Sequence, residues 1–301
     1  MFYNNNKRSA SEPFDAKQGG LSFSFMIATY VIVAFFVQAV LQLVTEKTSV
    51  LYLAISSILS LVAITLILVY QCYFKKQTIK VLSLNKFNAQ SLLLSILLWG
   101  GMFFGAGFVN LKLGEVLVGA GLKVPQTEIP LNNIWQFLLF TLTLAILPAI
   151  FEELFFRGLL LSSLDGHGTI TKVVAVGLCF ALYHCNLAQF AYQFLNGVTF
   201  CLLAIYAKSV IPCIIAHFIN NFFIILCEYL GIYIDLFSPI LIAIGLVALL
   251  GFLFITCVFN KNKENKKSKK TTKKEIAQFY LLYGALGIFI CALMIITALF
   301  A

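Results

Sequence analysis

The sequence predicts an all-α fold: a polytopic transmembrane helical bundle of about nine spans with its N-terminus in the cytoplasm. Three observations carry that prediction. Of 301 residues, 61% are hydrophobic and only 11% are charged, with a mean hydropathy of +0.96, far outside the range of soluble domains. Apolar runs near the ~20 residues that a helix needs to cross the hydrocarbon core recur from end to end. Lysines and arginines, finally, collect in alternate loops, the asymmetry that orients membrane proteins.

Taken in order, Met1 to Gly20 is polar and mixed in charge, a cytoplasmic tail. Leu21 to Val44 is too long for the apolar region of a signal peptide and has no A-x-A-like exit, so it is expected as a retained span. Further spans are expected near 49–73, 91–111, 134–164, 171–186, 188–207, 209–230, 236–259 and 276–300. The fifth and sixth share the stretch Val173 to Ala207, 35 residues, where two full crossings need about 20 each. They are therefore expected to be short, tilted or re-entrant. Four regions result: the tail 1–20, N-terminal spans 21–133, a core 134–230, and C-terminal spans 231–301 interrupted by a basic linker at 260–275.

With the N-terminus inside, Lys7, Arg8, Lys17, Lys75, Lys76, Lys80, Lys86, Arg157, Lys172, Lys208 and the eight lysines from Lys261 to Lys274 face the cytoplasm, and only Lys47, Lys112 and Lys123 face outward. Trp135, Tyr52, Tyr229 and Tyr233 then fall near the outer interface, where amphipathic rings are favoured. The net charge of +9 is accounted for by these loops and by anionic lipid against them; no nucleic-acid partner is implied. The linker NKNKENKKSKKTTKK is too polar to bury a core and is expected as a solvated, lipid-facing loop. Eight cysteines lie in or at the ends of apolar runs without CxxC spacing, which suits packing rather than disulfides or zinc. The chain has neither a glycine-rich phosphate loop nor a dinucleotide fingerprint, and Asp165-Gly166-His167-Gly168 has turn chemistry.

One stretch stands apart. Glu152-Glu153-Leu154-Phe155-Phe156-Arg157 puts three charges into a span with no other ionisable group, and ionisable side chains at bilayer depth mark function by default. At about 1.5 Å per residue, Glu152 lies roughly 20 Å from the turn at Asp165; His184 lies roughly 20 Å in from Thr171, and His217 roughly 14 Å in from Lys208. The three are expected to meet near the middle of the bilayer. Glu153 and Arg157 stand four apart and favour an ion pair, while Glu152, rotated about 100° away, is left to act. Phe180 shares a face with His184, and His217 with Asn221. Pro148 cannot donate to the Leu144 carbonyl, so a local opening is expected just before the carboxylates.

This set suits the activation of water against a carbonyl. Glu152 would serve as general base, His184 would hold the water or shuttle its proton, and His217 with Asn221 would donate to the oxyanion. A metal reading stands beside it, in which Glu152, His184 and His217 ligate zinc and Glu153 is the base. Against zinc, the spacing is not H-E-x-x-H and Arg157 brings positive charge to the carboxylates.

Glu152-Glu153-x-x-x-Arg157, Phe180-x-x-x-His184 and His217-x-x-x-Asn221, in this order on adjacent apolar spans, resemble the three signature motifs of the CPBP family of intramembrane proteases. That family comprises the type II CAAX prenyl endopeptidases and the bacteriocin-processing or self-immunity (Abi) proteins. The resemblance covers roughly residues 134–230. It implies an all-helical core with a cavity open toward the cytosol. It also implies Glu152 as catalytic base working with His184 on water, and His217 and Asn221 as oxyanion donors. Glu153, Arg157 and Phe180 complete the motifs in supporting positions.

The expected function is that of an endopeptidase in the cell membrane, acting on a membrane-associated protein or peptide. A C-a-a-X tail, a peptide pheromone, a bacteriocin leader and a membrane-anchored regulator all remain open as substrates. The alternative is a non-catalytic bacteriocin self-immunity or scaffold protein of the same fold. A proton-coupled carrier would require broken helices in two similar halves, whereas the polar residues here crowd into the fourth to seventh spans.

Overall fold

The computed structural model describes residues 14–46, 49–74, 82–124, 129–264 and 278–300, and all regular structure among them is helical. The helices are α1 (Ala16–Val44), α2 (Val50–Tyr73), α3 (Ala89–Gly119), α4 (Ile134–Ser163), α5 (Thr169–Tyr183), α6 (Leu187–Ala207), α7 (Ile211–Leu230), α8 (Pro239–Glu264) and α9 (Ala285–Phe300). Each expected span corresponds to one of them. Seven, α1 to α4 and α6 to α8, are long and apolar enough to cross a membrane. The two shorter ones are α5, with 15 residues, and α9, with 16. The brevity foreseen for the fifth and sixth spans therefore falls on the fifth alone.

Helix ends follow from side chains that can accept from free backbone N–H groups. Asp15 caps α1 through the Gln18 N–H, Ser49 caps α2 through Tyr52, Asn88 caps α3 through Ser91 and Asn186 caps α6 through Ala188. The Asp15 cap starts α1 five residues before the apolar run, so Ala16 to Gly20 are helical. Helix α3 runs eight residues past the expected end at 111, and its polar extension carries the exposed Lys112–Glu115 ion pair at 2.8 Å. The tail before Phe14 and the linker from 265 onward lie outside the described residues.

Large apolar side chains such as Phe35, Leu43, Ile170, Val247, Phe254 and Phe289 are exposed on the outer surface of the bundle. Such a surface is at home in hydrocarbon, and the protein is an integral membrane protein. Trp135 and Tyr233 are exposed, Tyr52 is buried, and Tyr229 stacks on Phe137 at 4.7 Å between ring centroids. Hydrocarbon gives helices no hydrophobic reason to associate, so close packing has to. Helices α5 and α6 pack through Gly177 and Gly197; a Cβ on Gly197 would come within 2.6 Å of the Gly177 Cα. Gly105 of α3 and Gly245 of α8 bring two more backbones together in the same way.

Candidate active site

The largest fully buried side chain among the described residues is a charged one, Arg157. Its Nη1 donates to Glu153 Oε1 at 3.0 Å, as the four-residue spacing predicts, and both side chains are fully shielded from solvent. The guanidinium lies 4.2 Å from the ring centroid of Phe180 and 5.1 Å from that of Phe200. Two aromatic faces thus flank a cation shielded from bulk solvent. Phe180, singled out as the partner of His184, serves Arg157 as well.

Helix α4 carries the carboxylates on an irregular backbone. It widens into π-helical turns at Thr141–Ile146 and at Leu154–Leu160, leaving only seven α-helical residues, Leu147–Glu153, between them. Pro148 is the second residue of this short segment, so the local opening expected upstream of the carboxylates is a π-turn. The Leu144 carbonyl accepts instead from Asn221 Nδ2 of α7 at 2.9 Å. A motif residue thereby ties α7 to the irregular turn of α4.

The adjacent carboxylates part company as their helical rotation demands. Glu153 Oε1 accepts from Arg157 and also from His217 Nδ1 at 2.8 Å. Glu152 Oε1 accepts from the Tyr183 hydroxyl at 3.2 Å. Glu152 Oε2 accepts no hydrogen bond and lies 4.0 Å from His217 Nε2. Glu153 Oε2 also accepts none, but its carboxylate already faces both Arg157 and His217.

His184 occupies the sharp corner between α5 and α6, where only His184, Cys185 and Asn186 separate the helices. Its Nδ1 donates to the Phe180 carbonyl at 2.8 Å, so in the neutral ring Nε2 is the acceptor. Cys185, next in sequence, turns its sulfur to Met294 of α9 at 3.7 Å.

One cavity of about 250 Å³ gathers Glu152, Glu153, Arg157, Phe180, His184, His217 and Asn221. All seven residues singled out in the sequence line it. The three helix depths therefore converge as the rise per residue foretold. Sequence reasoning missed Tyr183, Ser60 behind it, and the carboxamides Gln193, Asn196 and Asn220 that line the same cavity. Tyr183 sits beside the motif histidine, and a hydroxyl at depth was the available signal. Ser60 offered none, since serines on apolar helices commonly bond their own backbone. A second cavity of about 280 Å³ adjoins at Arg157 and extends to Asp165, Lys172 and Lys208.

Among the described residues no three His, Cys, Asp or Glu side chains gather as a metal-binding group. Two ligands of a tetrahedral zinc lie about 3.4 Å apart, closer than the 4.0 Å between Glu152 Oε2 and His217 Nε2. Glu153, the base of the zinc reading, is engaged by Arg157 and His217. In this arrangement Glu152 and His217 are spaced wider than two ligands of one zinc ion.

Residues 134–223 match a protein-family model, that of the Type II CAAX prenyl endopeptidase Rce1-like family. The match bears out the resemblance read from the three motifs, and it spans every motif residue and the segment that builds most of the cavity wall. No curated protein and no solved structure matches the chain.

Proposed function

We propose that this chain, whose residues 134–223 carry the CAAX-endopeptidase pattern, is a glutamate-dependent intramembrane endopeptidase of the cell membrane. Its substrate is a membrane-associated protein or peptide. The observation that carries the reading is the division between two neighbouring carboxylates. Glu153 is spent on Arg157 and His217, while Glu152, which lines the same cavity, has a protein hydrogen bond only at Oε1, from Tyr183.

In this reading a water held by Glu152 Oε2 and His184 Nε2 attacks the scissile carbonyl. The new C–O bond forms as Glu152 takes a proton from the water. The tetrahedral oxyanion is met by His217 Nε2–H and by the second N–H of Asn221, whose first N–H holds Leu144. His217 already donates from Nδ1 to Glu153, so to donate from Nε2 as well it carries a positive charge. With Arg157 it then balances the two carboxylates, and the site is neutral as a whole. The C–N bond breaks as Glu152 returns its proton to the leaving amine, which yields a carboxylic acid and an amine; the acid's proton passes to the amine, leaving a carboxylate and an ammonium, and the base is free for another turnover.

The charge bias of the loops sets the N-terminus and the basic linker on the cytoplasmic side, the latter against anionic lipid. In that orientation Lys172 and Lys208, which line the second cavity, fall on the cytoplasmic side. The test is cleavage of a fluorogenic, farnesylated C-a-a-X peptide by the purified protein in detergent. Glu152→Gln is expected to lose cleavage while keeping its melting temperature. A Glu152→Gln variant that cuts as fast as the wild type overturns the reading.

A further inference from the structure

The family match begins at residue 134, yet the carboxylate assigned as base is steered from a helix that precedes it. Tyr183 OH lies 3.2 Å from Glu152 Oε1 and 2.8 Å from Ser60 Oγ of α2. A phenol has one proton to give. An ionised carboxylate can only accept, whereas a serine hydroxyl can donate, so the bonds take one direction: Ser60 donates to the Tyr183 oxygen and Tyr183 donates to Glu152.

We infer that Ser60 and Tyr183 are positioning residues for Glu152, a relay from α2 that fixes which carboxylate oxygen faces the cavity; this rests on the reading of Glu152 as base. The need for such a relay is geometric. His217 Nε2 stands 4.0 Å from Glu152 Oε2, short of a hydrogen bond but within a small side-chain rotation of one. Freed from Tyr183, the carboxylate turns to His217, and base and oxyanion donor neutralise each other. Held at Oε1, it leaves Oε2 for water. The Tyr183 ring is itself fixed by Phe156 at 5.3 Å and His184 at 5.3 Å between centroids, so the phenol has little freedom to follow the carboxylate away. Ser60 orders the phenol proton and acts only through Tyr183.

Two measurements test the relay. The infrared difference between wild type and Glu152→Gln isolates the Glu152 carboxyl band without any substrate. That band is expected to move in Tyr183→Phe, to move by less in Ser60→Ala, and to return in Ser60→Thr, which restores the hydroxyl. A band unmoved in Tyr183→Phe overturns the relay. On the farnesylated peptide, Tyr183→Phe is expected to lower kcat about tenfold at unchanged KM and melting temperature, as expected of a residue that orients the base and does not bind substrate. Adding Ser60→Ala to Tyr183→Phe is expected to change nothing further, since the two act in series. Additive losses, or a change in KM alone, reject the relay. Full activity of Glu152→Gln would instead remove the base itself, even with the band shifts present.

Discussion

Asn221 Nδ2 donates at 2.9 Å to the Leu144 carbonyl, the acceptor that Pro148 cannot serve because it has no N–H. A break written into α4 by one residue is closed by a side chain of α7, 73 positions further along the chain. The same carboxamide accepts from Asn220 Nδ2 at 3.1 Å, so its orientation is fixed from both ends.

Replacing Asn221 is therefore expected to act twice. Asn221→Ala removes the side-chain donor to the Leu144 carbonyl, a loss of about 1 kcal/mol, visible as a lower melting temperature in detergent. It also removes one oxyanion donor, for which about a hundredfold fall in kcat is expected. Asn221→Gln, whose longer side chain still carries an amide, is expected to recover more of the stability than of the rate. Equal recovery of both would reduce Asn221 to a structural tie.

Glu153 separates from Glu152 in the opposite sense. Glu153→Gln strips the counter-charge from an Arg157 side chain that is fully buried, and breaking a buried pair by removing one partner costs about 3–5 kcal/mol. Poor recovery from membranes and a sharply lower melting temperature are expected. Glu152→Gln, which takes away a carboxylate with one protein hydrogen bond, is expected to melt close to the wild type. Thermal unfolding of the two variants side by side checks the assignment of structural and chemical roles without any substrate; a Glu152→Gln variant as unstable as Glu153→Gln would contradict it.

Orientation is open to a direct check. A cysteine placed in the basic linker, Ser268→Cys, is expected to react with a membrane-impermeant maleimide in inside-out vesicles and to be protected in intact cells. Labelling in intact cells would reverse the topology derived from the lysine asymmetry.

Much of this site was legible because its signals are local or one-dimensional. Glu153 and Arg157 pair because i and i+4 share a helix face, and depth along a helix needs only the rise per residue, which is how Glu152, His184 and His217 could be brought together on paper. Pro148 announced a backbone break, though not its form as a π-turn or the use of Asn221 to close it. The contributions of Ser60, Gln193 and Asn196 depend on which helices become neighbours and how they rotate. Those are properties of packing at points such as Gly177 against Gly197, and apolar composition leaves them open. Likewise, the spacing that placed Phe180 beside His184 could not show that the ring also covers Arg157, on a different helix.

The metal question turns on the same side chains. Had Glu152, His184 and His217 formed a zinc site, a strong chelator would strip it, and added zinc would restore activity. The proposed mechanism uses no such ion: Glu152 Oε2 and His217 Nε2 stand 4.0 Å apart, wider than the edge of a zinc tetrahedron. Cleavage of the farnesylated peptide is therefore expected to persist after dialysis against EDTA and 1,10-phenanthroline and to vanish in Glu152→Gln under the same conditions. Activity that disappears with the chelator and returns with zinc would mean that the 4.0 Å between Glu152 Oε2 and His217 Nε2 closes around a metal. In that case the two histidines would serve as its ligands rather than as proton carrier and oxyanion donor.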